Sequence, residues 1–80
     1  MAGLATTAIV ELNQTANRFK SSIVIRIDNK FIDAKSILGL SLTLLGNQSY
    51  RLEIHGPDEA EAREAMLAVF NKHGLSVESA

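Results

Sequence analysis

Ile9, Leu12, Ala16 and Phe19 recur at the spacing of one helical face and predict a helix over about residues 7–19. Thr6 or Thr7 can cap its start, because a hydroxyl oxygen accepts from the backbone N–H groups left free there. Glu11 suits the N-terminal half of this helix, and Arg18 and Lys20 suit its C-terminal end. The period then changes to two. Ile23, Ile25 and Ile27 alternate with Val24, Arg26 and Asp28, so residues 22–28 read as a strand with one buried face. Asp28-Asn29-Lys30 is a turn, since Asp and Asn tolerate positive φ and bond to their own backbone. Residues 31–34 return as a short strand and complete a hairpin.

Residues 36–45 carry Ile37, Leu38, Leu40, Leu42, Leu44 and Leu45, a run compatible with strand or helix. Ser36 is a good N-cap and Gly46-Asn47 a good stop, which favours a short helix; Gly39 weakens it by roughly 1 kcal/mol relative to Ala. Tyr50, Leu52 and Ile54 alternate with Arg51, Glu53 and His55 in an amphipathic strand ended by Gly56-Pro57. Asp58 then caps a helix over about residues 59–73, with Glu61 in the capping-box position. Ala62, Ala65, Met66, Val69, Phe70 and His73 follow at helical spacing. Gly74 and Leu75 fit the residues that close a Schellman motif. Residues 76–80 read as a frayed end.

The order is α-β-β-α-β-α, a single α+β domain over residues 1–80. Its simplest arrangement is an open-faced sandwich, an antiparallel sheet with all helices on one face. The other face would carry Val24, Arg26, Arg51, Glu53 and His55.

Composition narrows the chemistry. The chain has 80 residues, 46% of them hydrophobic, which fits one globular domain and argues against disorder. It has no Cys, which excludes a disulfide scaffold, a thiolate metal site and thiol catalysis, and makes the cytoplasm the expected compartment. Lys and Arg number 8 against 9 Asp and Glu, so neither a nucleic-acid footprint nor a polybasic membrane patch is expected. No apolar run approaches the ~18 residues of a membrane span, and the N-terminal stretch lacks the positive start of a signal peptide.

His55 and His73 have no neighbouring ligands at metal spacing, so both read as surface residues and no metal or cofactor is expected. Asp58, Glu59, Glu61 and Glu64 gather at a helix start, where they complement the dipole. No nucleophile or phosphate-binding motif is present, and the residues describe no enzyme active site. Lys35-Ser36-Ile37-Leu38-Gly39-Leu40 has two readings. One is an N-cap followed by core residues; the other is a phosphorylation site on Ser36, where a phosphate would meet the positive end of the helix dipole.

Thr15-Ala16-Asn17-Arg18-Phe19, Ala34-Lys35-Ser36-Ile37-Leu38-Gly39-Leu40 and Gly56-Pro57-Asp58-Glu59-Ala60-Glu61-Ala62 together resemble the HPr family. That family comprises the small histidine phosphocarriers of the bacterial sugar phosphotransferase system and the related catabolite-repression protein Crh. The resemblance covers about residues 3–74 and implies the HPr-like fold, with the family's first strand missing. It also implies that residues 50–55 form a bare sheet edge, open to pairing with another chain. In the family's active loop a His accepts phosphate, an Arg helps hold it and a Pro shapes the helix start. Here Ala5, Thr7 and Ala8 stand at those positions, so phosphotransfer through histidine is not expected.

Ser36 stands at the family's regulatory serine, which HPr kinase/phosphorylase modifies. In that family the phosphoserine form binds a catabolite control transcription factor, and the resemblance implies Ile37, Leu38 and Leu40 as the apolar contacts here, with Thr7 in place of an Arg on the same surface. The leading expectation is therefore a non-enzymatic regulatory or binding protein modified on Ser36. The alternative is an interaction module that forms a homodimer through the bare edge or by exchange of elements, without phosphate chemistry. A third is a segment of a longer chain. A true phosphocarrier ranks last, because Ala5 has no nucleophile.

Overall fold

The computed structural model describes residues 6–27, 29–43 and 49–79, with only the backbone of residues 41–43. In chain order it contains α1 (Thr6–Ala16), β1 (Ser22–Ile27), β2 (Lys30–Asp33), α2 (Ile37–Thr43), β3 (Tyr50–His55), α3 (Glu59–Lys72) and β4 (Val77–Ser79). The sheet order is β2-β1-β3-β4. β1 pairs antiparallel with β2 and with β3. β4 runs parallel to β3, so the sheet is mixed and the wholly antiparallel expectation is corrected.

The alternation read from the sequence sets the two faces. Ile23, Ile25 and Ile27 of β1, Ile32 of β2, and Tyr50, Leu52 and Ile54 of β3 are buried on one side. Against them lie Leu12 and Ala16 of α1, Leu40 of α2, and Ala62, Met66, Val69 and Phe70 of α3, which form one continuous core. The Tyr50 and Phe70 rings meet at 5.7 Å, tilted by 53°. Each large side chain removed from water there contributes about 1.5–3 kcal/mol, before the entropy of ordering it. The opposite face carries Val24, Arg26, Arg51, Glu53 and His55, as the strand period predicts.

Several boundaries differ from expectation. α1 ends at Ala16, short of residue 19, in tighter turns in which Arg18 N–H donates to Thr15 and Phe19 N–H to Ala16. Phe19 still packs on the core from beyond the helix. Thr6 and Thr7 are already helical, so neither is the cap. The hairpin pairs Ile27 with Lys30, which starts β2 one residue earlier than the pattern suggested. Asp28 and the helix stop at Gly46-Asn47 lie outside the described residues.

The C-terminal segment departs most. α3 ends at Lys72, with His73 as its C-cap. Gly74 takes φ +68°, Gly74 N–H donates to Asn71 and Leu75 N–H to Phe70, which is the expected Schellman closure. That turn sends the chain back along β3. Tyr50 N–H donates to the Ser76 carbonyl at 3.0 Å, and Val77, Glu78 and Ser79 stand in register with Tyr50, Arg51 and Leu52. Residues 77–79 are thus sheet rather than frayed end, and Ala80 lies outside the described residues. β4 covers the β3 edge at Tyr50–Leu52, so the expected bare edge is corrected there; among the described residues Glu53, Ile54 and His55 pair with β1 alone.

Candidate functional site at the start of α2

β2 ends in a turn that delivers Ser36 to the surface. Asp33 Oδ1 accepts from Lys35 N–H and the Asp33 carbonyl accepts from Ser36 N–H, both at 2.9 Å. Ala34 is fully buried and its N–H donates to the Ile23 carbonyl. α1 holds the turn from the other side. Asn13 Nδ2 donates to the Ala34 carbonyl at 3.2 Å and Asn17 Nδ2 to the Lys35 carbonyl at 3.4 Å. Lys35 Nζ donates to the Phe19 carbonyl at 2.8 Å.

Ser36 is the N-cap of α2. Its carbonyl accepts from Leu40 N–H at 3.1 Å and its Oγ from Gly39 N–H at 3.3 Å. Gly39 lets the helix lie on the sheet, because a Cβ there would stand 3.3 Å from Ile32 Cγ2. The cap does not hide the hydroxyl: Ser36 is exposed.

The apolar residues after the serine separate. Leu38 is 72% exposed and Ile37 is 41% exposed, while Leu40 is fully buried. Leu40 is therefore a core residue and leaves the expected contact set: residue 40 lies on the helix face turned to the sheet. Thr7 is exposed in the first turn of α1, beside a shallow depression of about 420 Å³ lined by Thr6, Val10, Glu11 and Gln14. Ala5 lies outside the described residues.

The histidines go elsewhere. His55 is exposed on the open face of β3. His73 Nε2 lies 2.8 Å from Glu11 Oε1, and Lys72 Nζ lies 3.1 Å from both oxygens of the same carboxylate. His73 first and Lys72 second hold the Glu11 carboxyl below its usual value. This link ties the end of α3 to α1 across 62 residues, so local patterning gave no sign of it. Among the described residues no three ligating side chains gather into a metal site. No helix of the described residues is long and apolar enough to cross a membrane.

Asp58 also differs from its expected role. It occupies the N-cap position of α3 but makes no side-chain cap bond. Its carboxylate accepts from Lys20 N–H and Ser21 N–H, both at 2.9 Å, and from the buried Ser21 hydroxyl at 2.5 Å. Ser21 Oγ in turn accepts from Asp58 N–H at 3.2 Å. The Ser21 hydroxyl first, then Lys20 N–H, lower the carboxyl from 3.8 to about 2. A lowered folded-state pKa stabilises the fold fully above the unfolded value. Asp58 therefore stabilises the fold above about pH 4, and this contribution is lost as pH falls towards about 2. Acid unfolding of the native chain and of Asp58→Asn checks this: the gap between their midpoints in urea is expected to be constant at neutral pH and to close over that window.

The sequence comparisons agree with one another. A family model described as the PTS HPr component phosphorylation site matches residues 1–72. The phosphocarrier protein HPr of Cupriavidus necator is 38% identical over 74 residues, covering 90% of this chain and 83% of that protein. The HPr-like protein Crh of Halalkalibacterium halodurans is 47% identical over 60 residues, covering 74% and 71%. Among solved structures, Bacillus subtilis Crh, described as a dimer with a swapped domain, superposes with TM-score 0.77 at 36% identity, covering 94% of this chain and 87% of its own. An HPr dimer from Thermoanaerobacter tengcongensis superposes with TM-score 0.78 at 35% identity, covering 88% and 82%.

Proposed function

The chain belongs to the HPr family, and from that premise we propose that it is a non-catalytic regulatory and binding protein of the sugar phosphotransferase and catabolite-repression type, modified on Ser36. The observation that carries the reading is the exposed Ser36 hydroxyl at the start of α2, followed directly by outward-facing Ile37 and Leu38. In the modification a kinase transfers the γ-phosphoryl group of ATP to Ser36 Oγ. The Oγ–P bond forms, the bond to the ADP leaving group breaks, and the hydroxyl proton leaves. A phosphoserine keeps an oxygen acceptor at the cap position and places negative charge by the first-turn N–H groups.

HPr kinase/phosphorylase and a catabolite control transcription factor are the partners this reading names. Ile37 and Leu38 supply the apolar contacts, with Thr7 at the rim. Histidine phosphotransfer is absent from the reading, because Ala5 offers a methyl where a phosphoryl acceptor is needed. Self-association is part of it, supported by the dimers that the Crh and HPr relatives form.

Native mass spectrometry tests phosphate and subunit count together. After incubation with ATP and an HPr kinase, one phosphate per chain is expected on the native protein and none on Ser36→Ala. No phosphate is expected from phosphoenolpyruvate with the first phosphotransferase enzyme. A gain from phosphoenolpyruvate, or a phosphorylated Ser36→Ala protein, overturns the reading.

A further inference from the structure

The open face of the sheet carries a charge arrangement that the α2 site does not use. Phe31, Arg26, Arg51 and Glu78 are register partners in one row across all four strands. Arg26 and Arg51 are therefore directly opposed across β1 and β3, a like-charge pair that destabilises a sheet. Arg26 has partners, among them Glu53 and Phe31: its Nη1 lies 3.7 Å from Glu53 Oε2 and its Cζ stands 5.1 Å from the centre of the Phe31 ring. Arg51 differs. It is exposed, and its guanidinium makes no ion pair or hydrogen bond among the described residues, Glu78 included. Both arginines line one depression of about 290 Å³, together with Ser49, Tyr50 and Glu78.

We propose that this depression is a binding subsite for a phosphate group, held between the Arg26 and Arg51 guanidinium groups with the Ser49 hydroxyl as a further donor. The chemistry selects the anion. One planar guanidinium fork satisfies one carboxylate, whereas two forks on one concavity match an anion with several oxygens and more than one charge. A bound dianion also removes the repulsion between the two arginines. Phe31 beside Arg26 limits where that guanidinium can go, so part of the ordering is already done before binding. Glu78 opposes the anion from the far rim and sets an upper limit on affinity.

The test is a titration of ¹⁵N-labelled protein at fixed ionic strength with inorganic phosphate, glycerol 3-phosphate and acetate. Saturable shifts are expected for both phosphates, centred on the amides of Ser49, Tyr50, Arg51 and Glu78, with acetate far weaker. Arg51→Gln is expected to weaken phosphate binding about tenfold or more, and Glu78→Gln to tighten it a few-fold. Arg51 is exposed, so its variant is expected to fold, with a melting temperature in chloride no lower than the native chain's. Equal affinity for the two phosphates shows that the group alone is recognised; tighter binding of the ester shows that the depression also holds the alcohol part. Shifts that do not saturate, that acetate reproduces, or that survive Arg51→Gln overturn the proposal. None of these outcomes bears on Ser36, so this subsite and the proposed function fail or stand separately.

Discussion

Gly56→Ala is expected to abolish stable folding. Gly56 sits at φ +152°, a conformation that residues with a Cβ rarely adopt. An added Cβ would stand 2.6 Å from Ser21 Cα and 2.5 Å from Ser21 Oγ. The first of these is backbone and cannot rotate away. Strain of this kind costs about 1–3 kcal/mol, and separating the two loops adds the hydrogen bonds between Ser21 and Asp58 to the loss. A loss above ~4 kcal/mol is the expected total. A chain of 80 residues has roughly 4–12 kcal/mol of stability at about 0.05–0.15 kcal/mol per residue, so most of it would go. Gly74→Ala is the control. Gly74 also has positive φ, at +68°, but nothing lies within 4 Å of a Cβ there, and a cost of about 1 kcal/mol is expected. Urea denaturation followed by circular dichroism compares the two. Similar midpoints for both variants would show that the close approach of the loops is wrongly described.

Leu40→Ala and Leu38→Ala are expected to differ sharply although they lie on the same short helix. Leu40 is fully buried, and its truncation removes core contacts and leaves a cavity, a cost of about 2–5 kcal/mol. Leu38 is 72% exposed, and its truncation is expected to stay within about 0.5 kcal/mol of the native stability. Binding reverses the order. A partner docking on α2 loses its contact with Leu38, so Leu38→Ala weakens binding while the fold is intact. Thermal melts, and a pull-down by the proposed catabolite control transcription factor of chain treated with ATP and an HPr kinase, separate the two effects. A stable Leu40→Ala protein with lost binding would put Leu40 back on the contact surface.

The elements with a strong period were readable directly. The isoleucine alternation of β1, the six residues of β3 and the Gly74-Leu75 closure of α3 all follow from local rules that tertiary packing had no reason to override. What stayed hidden depended on residues far apart in the chain. Asp58 has a good cap residue's chemistry, yet Ser21 and Lys20, 37 and 38 positions earlier, offer its carboxylate three donors where the helix start offers fewer. β4 has one apolar residue in three positions, too little for a period, and is placed by the turn before it and by the edge of β3. At α2 the serine segment was legible as a resemblance, but a run of leucines cannot say which of them faces inward. The packing of α2 against β2 settles it, with Leu40 fully buried and Leu38 72% exposed.

The bonds between Ser21 and Asp58 also bear on how the chain finds this structure. They close a loop that contains β1, β2, α2 and β3 and excludes α1 and α3. Before that loop closes, Glu11 and His73 are 62 residues apart, and their encounter carries the entropy of a long search. Once it closes, the chain between them runs only from Glu11 to Ser21 and from Asp58 to His73, well under half the length. The two outer helices are then tethered neighbours. With the polar clasp at the foot of the sheet closed, bringing the two helices together costs less loop-closure entropy than it does in the open chain.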